Sequence, residues 1–520
     1  MLIHAPILIV AIPLLSAFLI PLVGKLGTKA RNLLTLVAVS LSLALVSYLA
    51  VDVLSNGLRV YTLGASTPSL TLPSGYKVPV RIILEVDGLN ILMALTSSLI
   101  AFVGAIYSFA FIEEGKGINR YYSLFLLLVA GMFGLEFTGD AFNMFVFLEV
   151  TSIAACGLVG FNIDRGRSQE AAFKTLALYT VGALFFLFAV GILYGEYNAL
   201  NLGYLASQLS YGFLDKVALT LFLISLAMKA GAVPMHMWVP DAYAEAPSSI
   251  SLVLVSNTLV SLYALYRIVF NLYGMTLDQF TIGWIIITLG VISIVVGVVM
   301  AFLQKKLKRL MGYCALSQIG YMFLGLGVGL AVLGTPSLGE YGLTAIKGGL
   351  FHVLNDALYM GLLFLTAGAV IYRTGKRDMN EMSGLAKSMK WTSIFALIGT
   401  GAIAGLPPFS GFASKLMIYE SIFKFNPLLA VIAIVASIMT LAVFAKAFYV
   451  SFLGPELPEF EEVKEVPASM TFAMGVLSVL IVFMGIFPNL VVNNIIEPAA
   501  NALVNQPGYI DAVMKLAGGS

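Results

Sequence analysis

Apolar residues fall in blocks of about 20 along almost the whole chain, separated by short polar stretches. Each block is long enough to cross a hydrocarbon core of about 30 Å as a helix. The blocks do not alternate with period two, and backbone groups in lipid must be bonded internally, so helices rather than barrel strands are implied. The pattern predicts about fourteen spans. They lie near 5–23, 32–53, 88–112, 121–138, 141–162, 171–194, 214–238, 248–272, 280–303, 309–333, 341–372, 391–423, 427–453 and 468–490. The fold class read from this pattern is an all-α polytopic membrane protein.

Two departures from the block pattern stand out. Between the second and third spans, "RVYTLGASTPSLTLPSGYKVPVRIILEV" alternates and is punctuated by Pro and Gly, which predicts an extramembrane hairpin near 60–86. The C-terminal stretch 494–518 is mildly amphipathic and is expected along the surface. Within the blocks, "LISLAMKAGAVPMHMWVPDAYAEAP" (223–247) and "GAIAGLPPFSGFASKLMIYES" (401–421) read as broken helices. Pro234 interrupts the first, and Pro407 and Pro408 interrupt the second. Each break sits beside a lysine, and the two lie five spans apart. An odd offset inverts topology, as two inverted five-helix repeats would.

Composition narrows the class further. Of 520 residues, 60% are hydrophobic and 11% charged, too apolar for a soluble chain of this length. The net charge of +2 and the lack of a basic arm give no sign of a nucleic-acid partner. Cys156 and Cys314 both fall in apolar segments, so neither a disulfide nor a cysteine metal site is expected. The first block, "PILIVAIPLLSAFLIPLVG", has no basic segment before it and reads as a retained helix. Loops after odd-numbered spans carry most of the Lys and Arg, in "GKLGTKAR", "DRGR", "QKKLKR" and "YRTGKRDMNEMSGLAKSMK". That side is expected to be cytoplasmic, with both termini on the outer face of the cell membrane.

An ionisable side chain at membrane depth costs about 2.5–3.5 kcal/mol on insertion scales, so each one asks for a reason. Those far from span ends are Glu149, Lys229, His352, Asp356 and Lys415. Lys174, Lys347, Arg267 and Lys446 lie nearer the ends, where they can snorkel. A structural ion pair or a hydrogen-bonded core histidine is the plainer reading of each. The functional reading joins them. Burial favours the neutral form of a lysine or a carboxylate, whereas pairing favours the charged forms. A lysine whose carboxylate partner moves can therefore take up and release a proton. Proline breaks free backbone carbonyls and admit water, and histidine suits a relay. Tyr, Ser and Asn side chains in "SNTLVSLYALYR" and "YCALSQIGYM" can order the connecting waters.

At these residues the chain resembles a known family. "LEVTS", "MKAGAVPMHMWVPDAYAEAPSSIS", "AGLPPFSGFASK", "GYCALSQIGYMFLGLG" and "FLTAGAVIYRTGKRDMNEMSGLAKSM" are similar to the antiporter-type subunits of respiratory complex I, Mrp sodium/proton antiporters and membrane-bound nickel–iron hydrogenases. The resemblance covers nearly the whole chain. Length and texture look closest to the Mrp D-type subunit and its archaeal hydrogenase counterpart.

The resemblance implies fourteen helices: spans 1–3 with the hairpin in 1–112, inverted repeats of spans 4–8 in 121–272 and spans 9–13 in 280–453, and the last span with the tail in 454–520. It implies proton translocation through Glu149, Lys229, His352 and Lys415; beside them, His236, Asn257 and Asp356 are read from the residues as candidate relay groups or ion ligands. Three positions depart from the family pattern. Leu259 stands where Lys or His is common, Asp356 where a second histidine is common, and Met360 where a lysine is common.

The function implied is an ion-translocating subunit, for protons or also sodium, in a redox-driven complex that is hydrogenase-like or complex I-like. The alternatives are a subunit of a stand-alone Mrp-type antiporter and an independent solute transporter. The latter needs a convergent polar pocket, whereas here the buried polar residues are strung across spans. No metal or cofactor motif is present in the chain, so it is not expected to be catalytic alone. Iron–sulfur, nickel–iron or flavin centres would belong to peripheral redox partners, and the other partners would be further antiporter-like and small membrane subunits.

Overall fold

The computed structural model describes residues 2–63, 70–71, 77–78, 82–112, 117–455, 457–460 and 462–517. Helices dominate. In chain order they are α1 (Ala5–Val23), α2 (Thr28–Asn56), α3 (Gly88–Phe111), α4 (Ile118–Phe137), α5 (Ala141–Val159), α6 (Gly166–Tyr197), α7 (Leu202–Gln208), α8 (Phe213–Ala230), α9 (Val239–Glu245) and α10 (Ser248–Tyr266). There follow α11 (Gln279–Phe302), α12 (Leu307–Ala331), α13 (Leu343–Thr374), α14 (Lys390–Ala404), α15 (Ser410–Phe425), α16 (Pro427–Phe448), α17 (Ala468–Ile486), α18 (Pro488–Val491), α19 (Glu497–Val504) and α20 (Gln506–Ala517).

Among the described residues, 12 helical stretches are long and apolar enough to cross a membrane. The two remaining spans are the interrupted ones, α8 with α9 and α14 with α15. Both breaks begin at a glycine in the left-handed region, Gly231 at φ +81° and Gly405 at φ +76°. That conformation is open to glycine at little cost and ends a helix there. A Cβ on Gly231 would also meet Val239 Cγ2 at 2.5 Å, so the returning chain packs directly on the cap.

Burial sorts the helices into a centre and a rim. Every residue in the apolar stretches of α10 and α12 is buried, against 33–44% in α1, α2, α6, α11 and α16. A helix buried all round belongs to the interior, whereas one with a bare apolar face meets lipid or another subunit. Small residues allow the closest approach. A Cβ on Gly290 of α11 would lie 2.8 Å from the Gly320 carbonyl of α12, the small-residue contact that membrane helices use in place of a hydrophobic drive.

The connections gather on two faces. On one, strand β1 (Arg59–Thr62) runs antiparallel to β4 (Ile83–Val86), with Arg59 opposite Val86 and Thr62 opposite Ile83, and the short strands β2 (Leu70–Thr71) and β3 (Lys77–Val78) also pair. The rest of the expected hairpin, 64–69, 72–76 and 79–81, lies outside the described residues. Asp87 caps α3 by accepting from the Leu89 and Asn90 amides, and the Asn90 side chain accepts from the Asp87 amide. The tail docks on this same face. Leu503 and Val513 are buried, Lys347 pairs with Glu497 at 2.8 Å, and Asn271 donates to the Ala502 carbonyl at 3.1 Å. On the opposite face, Arg377 pairs with Glu245 at 2.8 Å, and Lys174 and Arg309 converge on Asp241 at 3.0 and 3.2 Å.

Candidate functional site

Lys229 is the penultimate residue of α8, just before the Gly231 cap, and is 1% exposed. Its Nζ donates to Ser152 Oγ at 2.6 Å and lies 3.4 Å from the Leu148 carbonyl of α5. It stands 3.8 Å from Glu149 Oε1 and 4.9 Å from the centre of the Tyr179 ring. The Glu149 side chain is 30% exposed, on the flank of the molecule, and its Oε1 has no hydrogen-bond partner. The pair is thus in Coulombic reach but not hydrogen-bonded, and the lysine is steadied by a neutral hydroxyl. The break beside it is stitched rather than open: Trp238 Nε1 donates to the Met228 carbonyl at 3.1 Å, and the Val233 amide donates to Ser293 Oγ at 3.0 Å.

From Lys229 the polar line continues through Tyr179 on α6, whose hydroxyl lies 3.5 Å from Asn257 Nδ2 on α10. One residue on, Thr258 Oγ1 is 3.1 Å from the Tyr243 hydroxyl. Leu259 and Met360 are both buried and contribute no polar side-chain atom.

In the second half, Lys415 lies on α15 beyond the Gly405 cap and is 1% exposed. Its Nζ donates to the Ile403 carbonyl at 2.7 Å and to Ser437 Oγ at 3.1 Å, and stands 5.0 Å from the Tyr321 ring centre. Among the described residues it forms no ion pair. His352 on α13 is held at both ring nitrogens, by Ser414 Oγ at 3.0 Å and by the Tyr359 hydroxyl at 3.2 Å. Ser414 also accepts from Asn355 Nδ2 at 3.0 Å. Asp356 is buried, leaves Oδ1 without a partner, and sits in electrostatic reach of Tyr243 and Lys415.

The candidates therefore fall into two clusters. Lys229 and Asn257 meet at Tyr179 with Glu149 beside the lysine, and His352, Asp356 and Lys415 meet around Tyr321, Tyr359 and Ser414. His236 stands apart: it lies half-buried in the first break with Nδ1 unpartnered, and no described hydrogen bond or ion pair joins it to the others. Arg267 does not snorkel. It is 3% exposed and donates to Asp87 at 2.6 Å, because the capped start of α3 brings a carboxylate to it inside the protein. Ser152, Tyr179 and Ser414 are not distinguishable in sequence from the many hydroxyls that bond their own helix. Among the described residues no three His, Cys, Asp or Glu side chains converge as a metal site requires.

The family described as "NADH:quinone oxidoreductase/Mrp antiporter, TM" matches residues 138–440, which contain both clusters. The chain belongs to this family. Among relatives, NADH-quinone oxidoreductase subunit N of Desulforudis audaxviator is 31% identical over 95% of this chain and 98% of its own length. A longer Na(+)/H(+) antiporter subunit of Alkalihalophilus pseudofirmus is 30% identical over 84% of this chain, and the match spans only 56% of that protein. Among solved structures, a chain of the membrane-bound sulfane sulfur reductase, an archaeal respiratory membrane complex, superposes with a TM-score of 0.84 at 28% identity, covering 98% of this chain and 100% of that one. As a member of this antiporter-type family the chain is a multi-pass membrane subunit, and the resemblance read from its motifs holds over nearly its whole length.

Proposed function

We propose that this chain is the ion-translocating subunit of a redox-driven membrane complex, moving protons along the line from Glu149 and Lys229 to His352 and Lys415. The observation that carries the reading is Lys229 itself: an ammonium buried beside a helix break, bonded to a serine, with its carboxylate 3.8 Å off and partly open to the flank. At an effective dielectric of about 20, two unit charges at this separation attract by about 4 kcal/mol. A neighbouring subunit that draws Glu149 away removes that support, and the proton then passes toward α10 and the second half. Lys415, which has hydroxyl and carbonyl acceptors but no described counter-ion, is the terminal acceptor.

Electron transfer is assigned to peripheral partners. This chain contributes the membrane arm, with the basic face inside, both termini outside, and other antiporter-like subunits beside it. The likeness to an antiporter protein favours one further reading, a machine driven by ion gradients alone. Iron and nickel analysis of the gently extracted native complex separates the two, since iron–sulfur or nickel–iron centres in partners bring iron and an antiporter requires none.

The test of the path is Lys229→Ala in the intact complex, reconstituted in liposomes and followed by a trapped pH dye. The expected result is loss of ion translocation with assembly retained. Normal pumping by K229A would sink the reading.

A further inference from the structure

One buried acid belongs to neither cluster. Glu136 stands in the last turn of α4 and is wholly buried. Its Oε1 accepts from Ser97 Oγ of α3, and its Oε2 has no partner. The turn that carries it is fixed at the backbone, not at the carboxylate: the Glu136 carbonyl accepts from the Tyr263 hydroxyl at 2.6 Å and from Asn90 Nδ2. The nearby Arg267 is already committed to Asp87 and Asn90. The acid therefore sits in a rigid mount with half of its hydrogen-bonding capacity unused, at a depth where an unmet polar atom is costly.

Its surroundings lead back to the ion path. Ser97 Oγ is 3.1 Å from Ser256 Oγ on α10. Ser256 is the chain neighbour of Asn257, whose side chain reaches the Tyr179 hydroxyl, and Tyr179 lies under the Lys229 ammonium. Along its buried length α10 carries no acid or base, so the line from Lys229 crosses that helix without an ionisable side chain of its own. The Glu136 carboxylate reaches α10 at this level by way of Ser97.

Resting on the translocation reading above, we propose that Glu136 is a proton-binding site on a branch of the path, serving Lys229 across α10 through the Ser256–Ser97 hydroxyl pair. In each pass Ser97 gives its hydroxyl proton to the Glu136 carboxylate and takes one from Ser256, which is resupplied from the Lys229 side. Both serines end unchanged, the ammonium becomes an amine and the carboxylate becomes an acid. Two buried charges are thereby removed from a low-dielectric interior, which makes the acid a natural resting place for the proton while Glu149 is withdrawn. Return of Glu149 draws the proton back or lets it move on toward Asp356 and Lys415.

The test uses the intact complex in liposomes with an imposed ion gradient. E136Q keeps the size of the side chain and the bond from Ser97 but cannot take a proton. Translocation is expected to fall by about tenfold or more, with assembly intact, and E136D is expected to restore part of it. A wild-type rate in assembled E136Q overturns the proposal. Should E136Q fail to assemble, E136D and S97A, which keep the acid, carry the test: both are expected to slow transport about threefold or more, and wild-type rates in both overturn it. Infrared difference spectra between the driven and resting complex supply a readout that a structural spacer would not move. A protonated-carboxyl band is expected in the native complex and not in E136Q; a native complex without such a band overturns the assignment. Failure here is separable from failure of the main reading, because K229A would still abolish transport while E136Q did not.

Discussion

Arg267 donates to Asp87 at 2.6 Å, to Asn271 and Tyr263 each at 3.2 Å, and to Asn90, so its charge enters the interior with every guanidinium nitrogen bonded. The acids of the proposed path are different. Glu149, Asp356 and Glu136 each keep one oxygen with no partner. Buried polar groups in folded proteins are almost always bonded, so exceptions mark either cost or use. The contrast separates a charge that holds the fold from charges that can change state. Replacing Arg267 with Met leaves Asp87 buried and unpaired, and breaking such a pair costs about 3–5 kcal/mol. The expected outcome is a lower melting temperature of the detergent-extracted protein. Arg267 also holds Asn90 and Tyr263, the two groups that bond the Glu136 carbonyl, so any change in pumping by R267M acts through the mount of that acid.

The same contrast explains what a reader of the sequence can find. Lys229 and Lys415 are legible because each interrupts an apolar block and stands beside a Gly–Pro break. Glu136 is not, because "GLEFTGD" places it four residues from Asp140 at the end of a block, where it reads as an interfacial charge. Only the packing of α3 and α10 over it puts it inside. Arg267 reads as a snorkelling residue for the same reason: depth at a span end is decided by what covers it, and α3 and the tail do so here.

At the scale of elements, the two breaks are alike and their lysines are not. Gly231 and Gly405 are each three residues before a proline, Pro234 and Pro408, which supports the proposed repeat of spans 4–8 in spans 9–13. Lys229 precedes its break and Lys415 follows its own. The five-span offset reverses the direction of the chain, so α8 and α15 both run between their break and the hairpin face. The two lysines thus both lie on the hairpin side of their breaks, although they are not corresponding residues of the repeat.

Strand β4 belongs to that face and carries a titratable device of its own. Glu85 lies outside the spans, is 3% exposed, and packs against Gly139 with Oε1 unpartnered. Burial pushes its carboxyl up from 4.5 to about 7, opposed by the neighbouring Tyr509 side chain and the charge of Arg267. A raised acid binds its proton more tightly folded than unfolded, so the folded state loses stability as pH rises from about 4.5 to about 7 and gains none back above it. The size of that loss is on the order of 3 kcal/mol. Glu85→Gln should remove it: hydrogen exchange of the β1–β4 amides is expected to speed up with pH, beyond the intrinsic rise, in the native protein but not in E85Q. Parallel profiles for both proteins would count against a buried, proton-linked Glu85.

For the whole molecule, the spans are readable because lipid admits so few backbone solutions that a block of about 20 apolar residues has one meaning. Orientation is a separate matter, since the helices would pack equally well either way up. It is set by charge outside the spans. The face opposite the hairpin carries Lys174, Lys306, Lys308, Arg309, Arg377 and Lys390, several of them joined to Asp241 and Glu245. Basic loops stay inside and acids add little to the decision, so the hairpin, the docked tail and both termini are expected outside. Alkaline phosphatase, which is active only when exported, checks this. Fused after Ala517 it should be active, and inserted after Lys387 in the loop between α13 and α14 it should be inactive. The reverse pattern would turn the molecule over and put the hairpin, the docked tail and both termini in the cytoplasm.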